Sequence, residues 1–145
     1  MDDGDDIYRR GLYVYGKRGV PYPSFVAFDA AKRETCSVRR TQTTTPLQAL
    51  VTLNDPVYVE AAKALARRIA SSDGESIEDK ARYAFEVCLS RPPSEKELAY
   101  LVALYKQAHE RFAADAASAT KMATVPLGAA PKDEDIADLA AWTVV

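Results

Sequence analysis

The chain has 145 residues, a formal net charge of -2 and an isoelectric point near 5.5. Its composition is 48% hydrophobic and 28% charged, which is typical of a folded globular protein and argues against general disorder. The slightly acidic balance argues against a nucleic-acid partner, because bulk electrostatic attraction to phosphates requires a basic surface. No apolar run is long enough to span a bilayer, and the acidic N-terminus lacks the basic and apolar parts of a signal peptide.

The first part of the chain, residues 7–45, is rich in aromatic residues, glycine and proline and has no sustained helical period. We expect irregular, extended chain here. Residues 12–15 consist of strand-favouring types and predict one short strand. The aromatic side chains either pin this segment to a helical core or stack on sugar rings.

The pattern becomes helical from Thr45 onward. Thr45 is a typical N-cap and Pro46 suits the first helical position, which predicts a helix over residues 46–53. Pro56 ends that helix, and Asp55 is placed to cap a second one over residues 56–70. The second helix should turn Lys63 outward and bury an apolar stripe. That stripe is formed by Val57, Ala61, Ala64, Leu65 and Ile69.

Two further helices are marked by capping-box patterns. Ser76 predicts a helix up to Ser90, and Ser94 with Glu97 predicts a long helix reaching about residue 117. Residues 118–132 lack amphipathic order and are expected to form a loop. Residues 133–145 resemble the start of a truncated helix. Its apolar side is expected to be exposed at Leu139, Trp142, Val144 and Val145.

The predicted fold is therefore mainly α. An irregular, aromatic- and Gly/Pro-rich N-terminal segment (7–45) packs on a bundle of about four to five helices, with a helical core over 46–117. We expect residues 1–145 to form a single domain or a fragment of one.

The stretch SVRRTQTTTPLQAL, residues 37–50, supplies the candidate site. One interpretation is a pocket for an anion or a carbohydrate, in which helix N-terminal amides and arginines attract a carboxylate, sulfate or phosphate. The other is internal: threonines cap the helix, arginines pair with acids such as Asp29, Glu34 or Asp55, and Gln48 satisfies loop carbonyls. The candidate residues, called the polar motif below, are Arg39, Arg40, Thr43, Thr45, Gln48, Asn54 and Asp55.

Other reactive side chains are few. The two cysteines, Cys36 and Cys88, lack metal-ligand spacing and form either a disulfide or two buried thiols. The single histidine, His109, lies among charged residues and is expected on a solvated helix face. The sequence thus predicts no metal site, no cofactor in this chain and no catalytic constellation.

Several segments in order resemble the C-terminal part of a known family. They are RRGLYVYGKRGVPYPSFVAFDA, the stretch from CSVRRTQTTTPLQAL through LNDPVYVEAAKALARR, YAFEVCLSRPPSEKELAYL, and AAWTVV. The family is called domain of unknown function 1553. Its central motif reads T-N-T-P-L-Q-A-L followed by L-N-D-P, and Thr44 stands here in place of the usual Asn.

The resemblance implies a fragment of a larger exported protein of Planctomycetes or related bacteria, situated in the periplasm or at the cell surface. Such proteins often carry haem c in a separate cytochrome domain. The resemblance implies no established activity. We therefore expect a non-catalytic structural or interaction module at the C-terminal end of its parent, with the parent's other domains as partners. The alternatives are a carbohydrate- or anion-binding module with polysaccharide as its partner, and part of an enzyme site completed by other domains.

Overall fold

The computed structural model describes residues 10–13, 15, 19–31, 38–39, 42–132 and 134–145. This part of the chain contains seven α-helices and no strand, which confirms the mainly α fold. The chain divides into two compact units, Met1–Asp55 and Pro56–Val145, here called unit 1 and unit 2. This division falls ten residues after the boundary predicted at residue 45. Whether the chain acts as one domain stays a prediction.

Unit 1 contains a 3-10 turn at Gly11–Tyr13 and two helices, α1 (Pro23–Ala27) and α2 (Pro46–Asn54), which pack together. The strand predicted over residues 12–15 is wrong, because the Tyr13 amide donates to the Arg10 carbonyl at 2.9 Å and closes a turn instead. The turn lies against α1, since a Cβ on Gly11 would come within 3.1 Å of the Phe25 ring. Among the described residues of this unit only Ser24 and Ala27 are buried.

Unit 2 is a bundle of five helices, the last of which is short and central. The helices are α3 (Pro56–Ala70), α4 (Ile77–Leu89), α5 (Glu95–Ala114), α6 (Ala116–Thr124) and α7 (Ile136–Val144). The capping-box patterns correctly predicted the starts of α4 and α5. Ser76 Oγ accepts from the Asp79 amide at 3.1 Å, and the Ser94 amide donates to Glu97 at 2.8 Å. The described chain contains no helix with the length and hydropathy of a membrane span.

The central helix is α7, which packs against α3, α5 and α6. Ala140 and Ala141 are fully buried, and small residues there let three helices approach closely. The predicted exposure of the last segment is therefore wrong for Leu139 and Trp142, which are 1% and 2% exposed. Val144 alone is exposed as expected. Leu139 and Trp142 are buried because the neighbouring helices enclose this side of α7.

The loop predicted over residues 118–132 is also wrong in its first half. Asp115 ends α5 and caps α6, its carboxylate accepting from the Ser118 amide at 3.1 Å. Ala119 and Ala123, one helical turn apart, are buried, so packing stabilises a helix whose polar positions show no pattern.

The buried face of α3 differs from the predicted stripe. Lys63, Ala66, Ile69 and Ala70 are buried, whereas Val57, Ala61 and Ala64 are exposed. Lys63 is tolerated inside because its Nζ donates to the Val125 carbonyl. Burial lowers the Lys63 pKa, and the charge of Lys121 lowers it further.

Candidate functional site

The polar motif lies at both ends of α2. Thr45 is extended at the N-cap, Pro46 occupies the first helical position, and Gln48 stands at the third. The Thr45 amide donates to Gln48 Oε1 at 3.2 Å, which satisfies a donor that the helix itself leaves without a partner. The sequence-predicted start of this helix is confirmed.

The side-chain amide of Gln48 joins three parts of unit 1. Its Nε2 donates to the Ala27 carbonyl at 2.9 Å, at the end of α1, and to the Thr43 carbonyl at 2.8 Å. Together with the bond from Thr45, the amide thus satisfies one donor and two acceptors of the main chain. This is the internal role predicted for Gln48.

Thr43 is bonded to an acid of unit 1. Its amide and its hydroxyl donate to Asp29 Oδ2 at 2.7 and 2.6 Å. Asp29 has a left-handed backbone, with φ of 54°, which Asp adopts more readily than most residues. A protein carboxylate therefore already occupies the donors of Thr43 that the anion-pocket interpretation assigned to a ligand.

Asp55 forms a second carboxylate node where α2 ends. Its Oδ2 accepts from Ser24 Oγ at 2.6 Å, and both of its oxygens lie 3.0 Å from the Tyr22 hydroxyl. Ser24 is buried in the first turn of α1, and Tyr22 packs edge-to-face on Phe25 at 5.7 Å. The Asp29 and Asp55 nodes and Gln48 together tie α1 to α2, and we call them the α1–α2 clasp.

The remaining predicted residues are less informative. The side-chain Nδ2 of Asn54 donates to the Leu50 carbonyl one turn back at 2.8 Å. Arg39 is exposed. Arg40 lies outside the described residues, so its predicted role as a tether stays a prediction. Cys88 is exposed, which differs from the buried thiol expected there. Cys36 lies outside the described residues, and its pairing with Cys88 stays a prediction.

A polar and aromatic cluster between α5 and α7 was not predicted. The Tyr105 hydroxyl donates to Asp138 Oδ1, and His109 Nε2 lies 3.6 Å from Asp135 Oδ2. The Tyr105 ring packs on Trp142 with centroids 4.5 Å apart. His109 stacks on Tyr105 and its side chain is 38% exposed, so the expected solvated histidine is only partly solvated. The spacing of four between Tyr105 and His109 indicated that they share one face of α5. Their contacts with Asp138 and Asp135 depend on tertiary structure and could not be predicted.

This cluster is arranged for packing more than for proton transfer. Burial raises the Tyr105 pKa, and its bond to the Asp138 carboxylate raises it further, so the phenol stays a donor at neutral pH. The Trp142 Nε1 is buried and has no acceptor. In the part of the chain that the structure describes, no group of three or more His, Cys, Asp or Glu side chains could hold a metal ion.

Two basic side chains of α3 hold the segment after α6. Arg67 donates to the carbonyls of Ala123 and Gly128 at 3.3 and 2.6 Å, one turn beyond the bond from Lys63 to Val125. Cations at the carbonyl end of a helix interact favourably with its dipole. These charges therefore stabilise the end of α6.

The amino-acid sequence of the chain places it in a protein family. Over residues 1–105 the chain matches the family described as PSD1: Protein of unknown function (DUF1553). Because this match covers more than two thirds of the 145 residues, the chain belongs to that family. The matched residues include the polar motif and α5 as far as Tyr105. Neither the curated proteins nor the solved structures gave a significant match.

Proposed function

We propose that the chain is a non-catalytic structural and interaction module of a larger protein, and that unit 1 attaches through an apolar face of α2. The observation that carries the proposal is that α2 buries none of its residues. Leu47, Leu50 and Leu53 are 54%, 58% and 74% exposed. Their spacing of three places them on one side of the helix.

The two sides of α2 have different roles in this proposal. The clasp uses the polar atoms of Gln48, Thr43 and Asp55 inside unit 1, which fixes the helix on α1. The leucines then stand on a supported helix. These three leucines, called the leucine ridge below, are suited to a permanent contact, because ordering a helix that is already fixed costs little entropy at the interface.

The partner we propose is an apolar surface of another domain of the parent protein. Residues 42–54 contain no charged side chain. Uncharged, leucine-rich surfaces are typical of obligate interfaces, whereas transient partners and polysaccharides are bound by more polar ones. We keep the exported parent and its neighbouring haem c domain as part of the proposal, since they follow from the family resemblance.

The alternative functions receive less support from the contacts. An external anion would have to displace Asp29 from Thr43, and a shared enzyme cleft would have to release Asp55 from Ser24. Both carboxylates would lose short hydrogen bonds, and the bond between Asp55 and Ser24 is partly buried. The module therefore accounts for more of the contacts in unit 1 than either alternative.

The test replaces Leu47, Leu50 and Leu53 by serine together. In the isolated chain we expect an unchanged circular-dichroism spectrum and free energy of unfolding, with weaker fluorescence of the apolar probe 8-anilinonaphthalene-1-sulfonate. The same change in the parent protein should lower the melting temperature, because the leucine ridge is covered there. A matched control is the triple serine variant of the buried residues Ala66, Ala81 and Ala84, which should destabilise both proteins.

Two results would contradict the proposal. Strong destabilisation of the isolated chain by the leucine variant would place the leucine ridge inside unit 1. An upward shift of the chain's melting temperature in millimolar sulfate or heparin, lost in Thr43→Val, would instead support a ligand site in the polar motif.

A further inference from the structure

A groove on the surface of α5 lies over the core residues Leu98 and Val102 and is separate from the clasp. It has a volume of about 460 Å³ and is bordered by Glu78 of α4. Each α5 residue has another member of the set three or four positions away, which places them on one helix face. They are Glu95, Leu98, Ala99, Val102, Ala103 and Lys106.

The middle of this face is apolar, and its exposed side chains are small. Ala99 and Ala103 are exposed, while Val102 is buried at the floor and Leu98 is half-buried. Small exposed side chains one turn apart let the backbone of a second helix come close, because interhelical distance depends on the side chains at the contact. The face therefore fits a helix of similar shape.

Opposite charges stand at the two ends of the face. Glu95 and Lys106 are both exposed and lie eleven positions apart, about 16 Å along a helix. Among the described residues neither of them forms an ion pair within 4.0 Å. Each end thus has a charge that the fold itself does not pair.

The order of these residues is self-complementary when reversed. The midpoint of the face falls between Tyr100 and Leu101. A second α5 running antiparallel about a two-fold axis at that point brings Glu95 level with Lys106 of the second copy, and does so twice. The same operation sets the small Ala99 and Ala103 level with Val102 and Leu98 of the second copy. A parallel arrangement would place Glu95 against Glu95.

We propose that the chain associates with a second copy of itself through antiparallel α5 helices, with two Glu95–Lys106 ion pairs flanking an apolar centre. This surface belongs to unit 2 and does not depend on the function proposed for α2. A contact between two helices buries less than the roughly 800 Å² per partner of a standard interface, so the dimer is weak and exchanges rapidly.

Charge reversal tests the arrangement by sedimentation velocity over a concentration series of the full chain at low salt. Glu95→Lys alone and Lys106→Glu alone should each weaken association at least tenfold, because each sets like charges opposite one another. An equimolar mixture of these two variants should restore it, since every pair in the mixed dimer is then opposite in sign. The double variant should also dimerise.

Lys96→Glu and Glu86→Lys serve as controls, because both residues are exposed and lie outside the groove. They should leave the dissociation constant within twofold of the parent value. Restoration by mixing also separates a lost contact from a folding defect, because two misfolded variants would not rescue each other.

The proposal is overturned if the chain stays monomeric at the highest concentration, or if mixing the two single variants does not restore association. It is also overturned if Leu50→Glu abolishes association while the α5 reversals leave it unchanged, since the copies would then meet through α2. That last result would leave the apolar face of α2 as the site of self-association.

Discussion

Gln48 Nε2 donates to the carbonyl of Ala27 at 2.9 Å and thereby joins the third residue of α2 to the last residue of α1. The two residues are 21 positions apart in the chain. The bond satisfies a carbonyl at the end of α1, where helices leave such groups without an internal partner. A residue that caps its own helix thus also holds a neighbouring one.

The core of unit 2 depends on Trp142. Replacing it by alanine should lower the free energy of unfolding by about 3–5 kcal/mol, because the ring is enclosed by α5 and α3 residues and would leave a cavity. Trp142→Phe should cost much less, since it keeps a ring and removes an N–H that is buried without an acceptor. Chemical denaturation followed by circular dichroism measures both. Equal losses for the two variants would contradict the packing described here.

The start of α5 should be sensitive to acid through Glu97. Its bond to Arg91, followed by bonds from Ser94, lowers the Glu97 pKa from 4.5 to about 2. A carboxylate with a lowered pKa in the folded state stabilises above its unfolded pKa and loses that contribution as pH falls. The loss should therefore occur between pH about 4.5 and about 2.

Glu97→Gln isolates this contribution, because glutamine can still complete the capping box but carries no charge. The difference in unfolding free energy between the parent chain and Glu97→Gln should shrink as pH falls through that window. The Arg91 and Glu97 side chains are 52% and 37% exposed, so added salt should reduce the difference as well. Glu110→Gln, an exposed change on the same helix, should show no such trend. A constant difference across the window would argue against the assignment.

The hydroxyl of Tyr105 should contribute through its bond to Asp138. Tyr105→Phe keeps the ring against Trp142 and is expected to cost about 1–2 kcal/mol at neutral pH. Because burial and Asp138 raise the Tyr105 pKa, its contribution is complete below the ordinary value of 10.0 and declines as pH rises above it. The gap between parent and variant should therefore narrow in alkaline solution. Tyr100→Phe, 70% exposed on the same helix, is the control and should be neutral.

Local signals predicted the helix starts, because caps and proline act within a few residues. Ser94 with Glu97, and Thr45 with Pro46, mark helices that the structure confirms. Helix α6 was not predicted, since its burial of Ala119 against its neighbours is a tertiary effect that no local period records. The enclosure of Trp142 was missed for the same reason: an apolar stripe does not reveal what covers it.

The candidate site was predictable in part. The sequence indicated that Gln48 would satisfy loop carbonyls, because a polar residue next to a helix start commonly does so. It did not indicate that Asp29 would bind Thr43 or that Asp55 would accept from Tyr22 and Ser24. Those partners lie 14 to 33 positions apart and meet only when α1 packs on α2.

The central claim is that the polar motif holds unit 1 together, and Gln48→Glu tests it most directly. Glutamate suits the third position of a capped helix and can still accept from the Thr45 amide, so capping alone predicts no loss. It has no N–H for the carbonyls of Ala27 and Thr43 and would place a negative charge beside both. Hydrogen-exchange mass spectrometry should then show protection over residues 42–55 reduced by about tenfold, equivalent to about 1.4 kcal/mol. Residues 95–114 should be unaffected, and sulfate should change neither chain. Unchanged protection in Gln48→Glu, together with sulfate-induced protection of residues 42–55 in the parent, would contradict the claim and support a ligand site.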